Sequence, residues 1–124
     1  MSVALTFVSP PPGFAPHTRF LLEPVAGADG LFSLDALDDR TLRVHVVDSR
    51  RVAADYAPTI SDDDVQVLGL TAPEQAMLLL VVGRTPPDGV HVNLLAPIVV
   101  NSTTGVAAQL ILEDQDLPLR ASLS

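Results

Sequence analysis

The stretch Ala76-Met77-Leu78-Leu79-Leu80-Val81-Val82 carries no polar side chain, so neither of its faces can be left in water without loss. Successive side chains of a strand point to opposite faces, and the run therefore predicts a central strand covered on both sides. A buried helix would also be apolar all round, and periodicity alone leaves that alternative open. Other segments read as strands. Leu42, Val44 and Val46 alternate with Arg43, His45 and Val47, the period of a strand with one buried face. Val3 to Val8, Arg19 to Leu22 and Leu31 to Leu37 follow the same reading, with Phe32, Leu34 and Ala36 on one face.

Turn residues separate these pieces. Pro10-Pro11-Pro12 ends the first strand because proline cannot donate to a ladder, and Gly27-Ala28-Asp29-Gly30 parts the second from the third. Pro86-Pro87-Asp88-Gly89 releases the chain into Val90 to Asn101, read as one long strand bent at Pro97. Ser102-Thr103-Thr104-Gly105 makes a hairpin into Val106 to Leu112. Helical signals are few: a short piece within Asp48 to Tyr56, and a start at Ser61 with Asp62, Asp63 and Asp64 at the positive end and Gly69 as the stop. Thr71 and Glu74 sit at capping-box spacing around Pro73. About seven strands with short turns predict an all-β fold, a small closed or nearly closed β-barrel-like domain with one or two short helices. Its 124 residues suffice for one core, giving a single domain over residues 1–124 with Leu42, Val44, Val46, Leu78, Leu80, Ile98 and Val100 in the core.

Little in the chain points to chemistry. With no cysteine there is no disulfide, thiol nucleophile or sulfur-based zinc site. His17, His45 and His91 are not spaced as metal ligands, and Asp62-Asp63-Asp64 lacks the alternation of a calcium loop. No Gly-x-Ser-x-Gly elbow is present. The expectation is a binding protein and not an enzyme, with no catalytic residue, no metal and no cofactor. The net charge is −8 and every cation is an arginine, so direct nucleic-acid binding is disfavoured while a basic protein partner is suited. No apolar run approaches the roughly 20 residues of a membrane span, and the N-terminus does not read as a signal peptide, so a cytoplasmic location is expected.

The segment Asn93-Leu94-Leu95-Ala96-Pro97-Ile98-Val99-Val100-Asn101 closely resembles the signature stretch of the FliW family. The resemblance continues through Pro12-Gly13-Phe14, Val46-Val47-Asp48, Asp55-Tyr56 and Leu110 to Asp116, and so covers almost the whole chain. It implies a small β-barrel-like domain that binds flagellin and the RNA-binding translational regulator CsrA in competition. Capture of the regulator would relieve repression of flagellin translation. A flagellin chaperone without regulator binding is the alternative within the same class. A small barrel enzyme or ligand-binding domain, using the His91 region or the barrel mouth, is the alternative outside it.

Within the resemblance, Asn93, Pro97 and Asn101 are expected as exposed members of a partner-binding rim, although the asparagines could equally serve local backbone groups. Glu113, Asp114 and Asp116 form an acidic turn suited to a basic partner. Three features depart from the family pattern. The short N-terminus predicts that the strand before the Pro-Gly-Phe segment is missing and a barrel edge left open. Arg50-Arg51-Val52-Ala53-Ala54 replaces a more aromatic stretch, and Leu117 stands where a tyrosine is common.

Charge complementarity acts mostly on encounter rate, which sets the first test. Glu113→Lys with Asp114→Lys should slow association with the basic regulator strongly at low salt and weakly at high salt, measured by stopped flow. Unchanged rates at every salt concentration would move the contact elsewhere, to the surface around Arg50 and Arg51.

Overall fold

The apolar run is a strand paired along both edges. The structure, a computed structural model, describes residues 2–11, 13–52, 56, 58–85, 89–112 and 120–122. In chain order its strands are β1 (Val3–Phe7), β2 (Arg19–Pro24), β3 (Leu31–Ala36), β4 (Arg43–Asp48), β5 (Ala76–Thr85), β6 (Gly89–Asn93), β7 (Ile98–Asn101), β8 (Val106–Gln109) and β9 (Arg120–Ser122). Helices α1 (Ser49–Val52) and α2 (Asp62–Leu68) and a 3₁₀ turn at Pro73–Gln75 lie between β4 and β5.

The strands run in the order β4-β3-β2-β1-β8-β7-β5, and β5 then pairs back onto β4 through Val46–Val81, Val47–Leu80 and Asp48–Leu79. A closed seven-stranded barrel results, with β6 and β9 continuing outward from the far half of β5. Every pairing is antiparallel except β1 with β8. The open edge expected from the short N-terminus is therefore absent. Strand β1 precedes the Gly13-Phe14 turn and fills the place between β2 and β8.

Alternation explains where each apolar residue goes. Leu5, Phe7, Phe20, Leu22, Leu34, Ala36, Val46, Leu79, Ile98, Val100 and Ala107 form one buried cluster fed by all seven ring strands, the barrel interior. Phe20 sits between Phe7 and Phe14 in edge-on contacts with ring centroids 5.1 and 5.4 Å apart. On β5, Met77, Leu79 and Val81 belong to this interior, whereas Leu78, Leu80 and Val82 point outward and are still covered. Leu78 packs in a cluster with Leu68 of α2, and Leu80 in one with Val92 and Leu94. The expected core thus divides: Val46, Ile98 and Val100 are interior, Leu42 and Val44 line its margin, and Leu78 and Leu80 fill two outer layers.

The long strand expected over Val90 to Asn101 is instead two. Strand β6 pairs with β5 as Val82–Val92, a register that would bring Leu95 opposite Leu79; Ile98 stands there. The bend at Pro97 is a register slip, because Leu94 and Ala96 are drawn down into buried positions. Strand β8 ends at Gln109 short of the expected Leu112, but Leu110 and Leu112 still donate to the carbonyls of Pro97 and Leu95 at 2.9 and 2.7 Å. The Pro86-Pro87-Asp88 turn lies outside the described residues.

Helix α2 begins and ends as read. The Ser61 hydroxyl accepts the Asp64 amide at 3.2 Å, and Gly69 adopts φ 67° while Leu70 donates to Val65 and Gly69 to Gln66, a Schellman close. At the 3₁₀ turn the expected Thr71–Glu74 box is replaced by Gln75. Its Oε1 accepts the amides of Thr71 and Ala72 at 2.6 and 3.1 Å, since a single turn brings the third residue back over its own start.

Asp35 faces away from the interior, yet its side chain is fully buried. Arg43, its cross-strand partner, closes over it with two hydrogen bonds of 2.9 and 2.8 Å, and Arg40 adds one at 3.3 Å. These guanidinium contacts, Arg43 first, hold the Asp35 carboxyl below the usual carboxylate range against the opposing effect of burial.

The β7–β8 loop is where β1 must approach most closely. Gly105 has φ 81°, and a Cβ there would lie 2.8 Å from the Ala4 carbonyl oxygen; its own carbonyl accepts the Thr6 amide at 2.9 Å. Gly13 has a similar φ of 86° but open space around it. Gly13→Ala should therefore cost about 1 kcal/mol from backbone strain alone, and Gly105→Ala about 2 to 4 kcal/mol, as read by chemical denaturation. Equal costs would show that the β1 contact contributes nothing.

Candidate functional site

Asn101 ends β7 with its side chain directed outward beneath α2. It is 1% exposed, and its Nδ2 donates to the carbonyls of Leu68 and Gly69 at 2.9 and 3.2 Å. Its Oδ1 accepts the amides of Thr103 and Thr104 at 2.9 and 3.4 Å. One buried amide thus satisfies the end of a helix and a hairpin loop together. Pro97 is also buried, and Asn93 is half-buried with its Oδ1 accepting the Leu95 amide at 3.0 Å. The expected exposure of Pro97 and Asn101 is corrected, because α2 and residues 110–112 cover the outer face of β7. The alternative role of the asparagines in holding backbone is the one observed. The acidic turn Glu113, Asp114 and Asp116 lies outside the described residues.

A different surface gathers concave space. Three hollows lie in a row on the side of the barrel bearing α1, α2 and the 3₁₀ turn. The first, about 330 Å³, opens between α2 and the chain leading into β5 and is lined by Pro58, Ile60, Val65, Leu70, Pro73 and Ala76 among others. The second, about 500 Å³, shares Pro73 and Ala76 with it and extends past Tyr56 and Met77 to Asp48 and Arg50. The third, about 420 Å³, shares Asp48 and Arg50 and ends at Asp29, Phe32 and Arg51. The row passes from an apolar end at α2 to an ionic end at Arg51.

Local chemistry fixes the middle of the row. Asp48 closes β4, and its carboxylate accepts the Arg50 amide at 3.0 Å and the guanidinium at 3.2 and 2.8 Å, which starts α1 and keeps the carboxyl below its ordinary range. Arg51 pairs with Asp29 across the cleft wall. Tyr56 donates from its hydroxyl to the Leu94 carbonyl at 2.6 Å and packs among Val47, Leu80 and Leu94, linking this face to the slipped segment before β7.

None of these residues was singled out from sequence by its spacing. Asp48 and Tyr56 enter the sequence reading only through the resemblance and Arg50 and Arg51 only as a departure from it, and Tyr56, the chain's one tyrosine, meets Leu94 only through the fold. Among the described residues no three of His, Asp and Glu gather as a metal site, and no buried side-chain polar atom lacks a partner. The arrangement offers shape, apolar area and charge, the means of holding another chain.

The profile of the FliW protein family matches residues 2–123. The flagellar assembly factor FliW of Thermotoga maritima is 31% identical over 121 residues, covering 96% of this chain and 81% of that protein. That of Thermotoga neapolitana is 30% identical over 115 residues, covering 91% and 77%. That of Azoarcus is 30% identical over 97 residues, covering 73% of this chain and 66% of its own length. A crystal structure of the flagellar assembly factor FliW superposes with a TM-score of 0.88 at 21% identity, covering 97% of this chain and 84% of that one, and shows the same fold.

Burial pushes the Tyr56 hydroxyl up to about 12. As the only tyrosine in a chain without tryptophan, it can be titrated by tyrosinate absorbance alone. The folded protein should ionise well above the ordinary value near 10. The folded state holds the proton more tightly, so this stabilisation is complete below pH 10 and disappears as pH rises through about 12. Tyr56→Phe should lower stability by about 1 to 2 kcal/mol by leaving the Leu94 carbonyl unpaired. A titration midpoint near 10 in the folded protein would contradict the burial.

Proposed function

This chain belongs to the FliW protein family, and we propose that it is a flagellar assembly factor acting by capture: it binds a CsrA-type translational regulator and flagellin in competition. While flagellin occupies it, the regulator is free to repress flagellin translation. When flagellin is consumed, the vacated factor captures the regulator and repression lifts. The observation that carries the reading is the family match over residues 2–123, nearly the whole chain.

Physical features support it. A net charge of −8 without lysine disfavours RNA contact by the protein itself but complements a basic RNA-binding partner. The row of hollows joins an apolar lining beside α2 to the ion pairs Asp48–Arg50 and Asp29–Arg51, a surface suited to holding a protein partner. No helix among the described residues is long and apolar enough to cross a membrane, and a cytoplasmic site of action accords with a regulator of translation. The acidic turn Glu113, Asp114 and Asp116 is retained as a regulator contact on its charge, and Asn93 as a rim position beside the buried Leu94.

The test uses purified regulator and flagellin from the same cell. Each should bind the chain by calorimetry, and saturating flagellin should weaken apparent regulator affinity in proportion to its concentration. Regulator prebound to its leader RNA should lose repression when the chain is added, with no gel shift of the RNA by the chain alone. Binding of flagellin with no regulator binding would reduce the function to a chaperone, and binding of neither would overturn it.

A further inference from the structure

Among the described residues, the ion pairs are distributed unevenly. Each arginine with a described side chain is matched to an acid: Arg19 with Asp38, Arg40 with Glu23 and Asp35, Arg43 with Asp35, Arg50 with Asp48 and Arg51 with Asp29. All these pairs lie between β2 and α1. The field of that flank is largely neutralised. On the other side of the same face, Asp62, Asp63 and Glu74 are exposed and engage no cation, so the negative charge concentrates around α2 and the 3₁₀ turn.

The apolar hollow lies within that field. Val65, Ile60, Leu70 and Ala76 line it, and the last three pack against a buried layer containing Leu68, Val99 and Ala108. Asp62 stands one turn before Val65 on the same side of α2, and Glu74 follows the lining residue Pro73 and itself lines the adjoining hollow that shares Pro73 and Ala76. Apolar floor and acidic lips together describe one kind of ligand. Resting on the capture function above, we infer that this groove receives a basic amphipathic helix of the partner, its apolar residues at helical spacing seated on Val65, Leu70 and Ala76 and its lysines or arginines against Asp62, Asp63 and Glu74. The hollow of about 330 Å³ is of a size to seat a few side chains, and specificity would come from the charge at its lips.

The test compares the full chain with two variants. Asp62→Asn with Asp63→Asn and Glu74→Gln removes the lip charge while leaving the floor, and Val65→Lys places a cation in the floor; circular dichroism and thermal melting verify folding of each. The probe is a synthetic 18-residue helix of leucine and lysine in amphipathic order, with a leucine–glutamate helix and a scrambled leucine–lysine peptide as controls. The wild-type chain should bind the ordered leucine–lysine helix at least tenfold more tightly than either control, with amide shifts confined to residues around Val65, Leu70 and Ala76. Both variants should lose tenfold or more at low salt, and for the neutralised variant the loss should shrink at high salt. Shifts centred on Asp48 and Arg50, or equal binding by all three proteins, would overturn the groove assignment. The same variants with authentic partners separate the two levels: partners bound undiminished by both variants reject the groove but keep the capture function, whereas partners ignored by the wild-type chain reject the capture function itself.

Discussion

The pairing of β4 with β5 is the constraint on which the remainder hangs. It converts a row of strands into a ring, and in a ring no strand of the seven presents an unpaired edge to a passing chain. Three residue pairs make the closure. Val46 with Val81 carries it into the interior, Val47 with Leu80 into the outer layer, and Asp48, opposite Leu79, ends it where the chain must leave the sheet. That exit explains the binding face: Asp48 cannot continue the strand beside Leu79 and instead caps α1 through Arg50, setting the wall shared by two of the hollows.

How much of this could be read in advance follows from the range of each interaction. Strand period, turn residues and the Ser61 and Gly69 helix signals are local, and they appear where the chain alone places them. The uninterrupted Ala76 to Val82 run also spoke correctly, because burial on both faces leaves a compositional mark. What composition cannot state is which layer covers which face. Leu78 and Leu80 read as core and are core, yet they belong to clusters outside the barrel that draw in residues of α2, β6 and β8. The slip at Pro97 was visible only as a proline, since its extent depends on how deeply Leu94 and Ala96 are drawn in.

The site residues show the same division more sharply. A polar residue in an apolar stretch reads as a surface position, and for Asn101 the reading fails because four backbone groups from two segments meet its amide. Its resemblance-bearing position is thus accounted for by architecture, without any partner. The concave row beside the barrel had no sequence signature of its own. It is assembled from an i, i+2 ion pair, a lone tyrosine and a 3₁₀ turn, features that acquire meaning only when β5 brings them side by side.

The parallel pairing of β1 with β8 sets a timetable for synthesis. Thr6 and Phe7 lie opposite Val106 and Ala107, so β1 waits for β8, made after every other strand of the ring, before its free edge is occupied. Until then β1 can hold only to β2, and the β1–β4 meander is a sheet without closure. A ring sealed by so distant a contact folds late and as a unit, and places such a chain toward the slow end for its length. Nascent chains stalled before residue 107 therefore have an unclosed sheet with an edge of β1 and an edge of β7 exposed, the state in which chaperone demand and misassembly are concentrated.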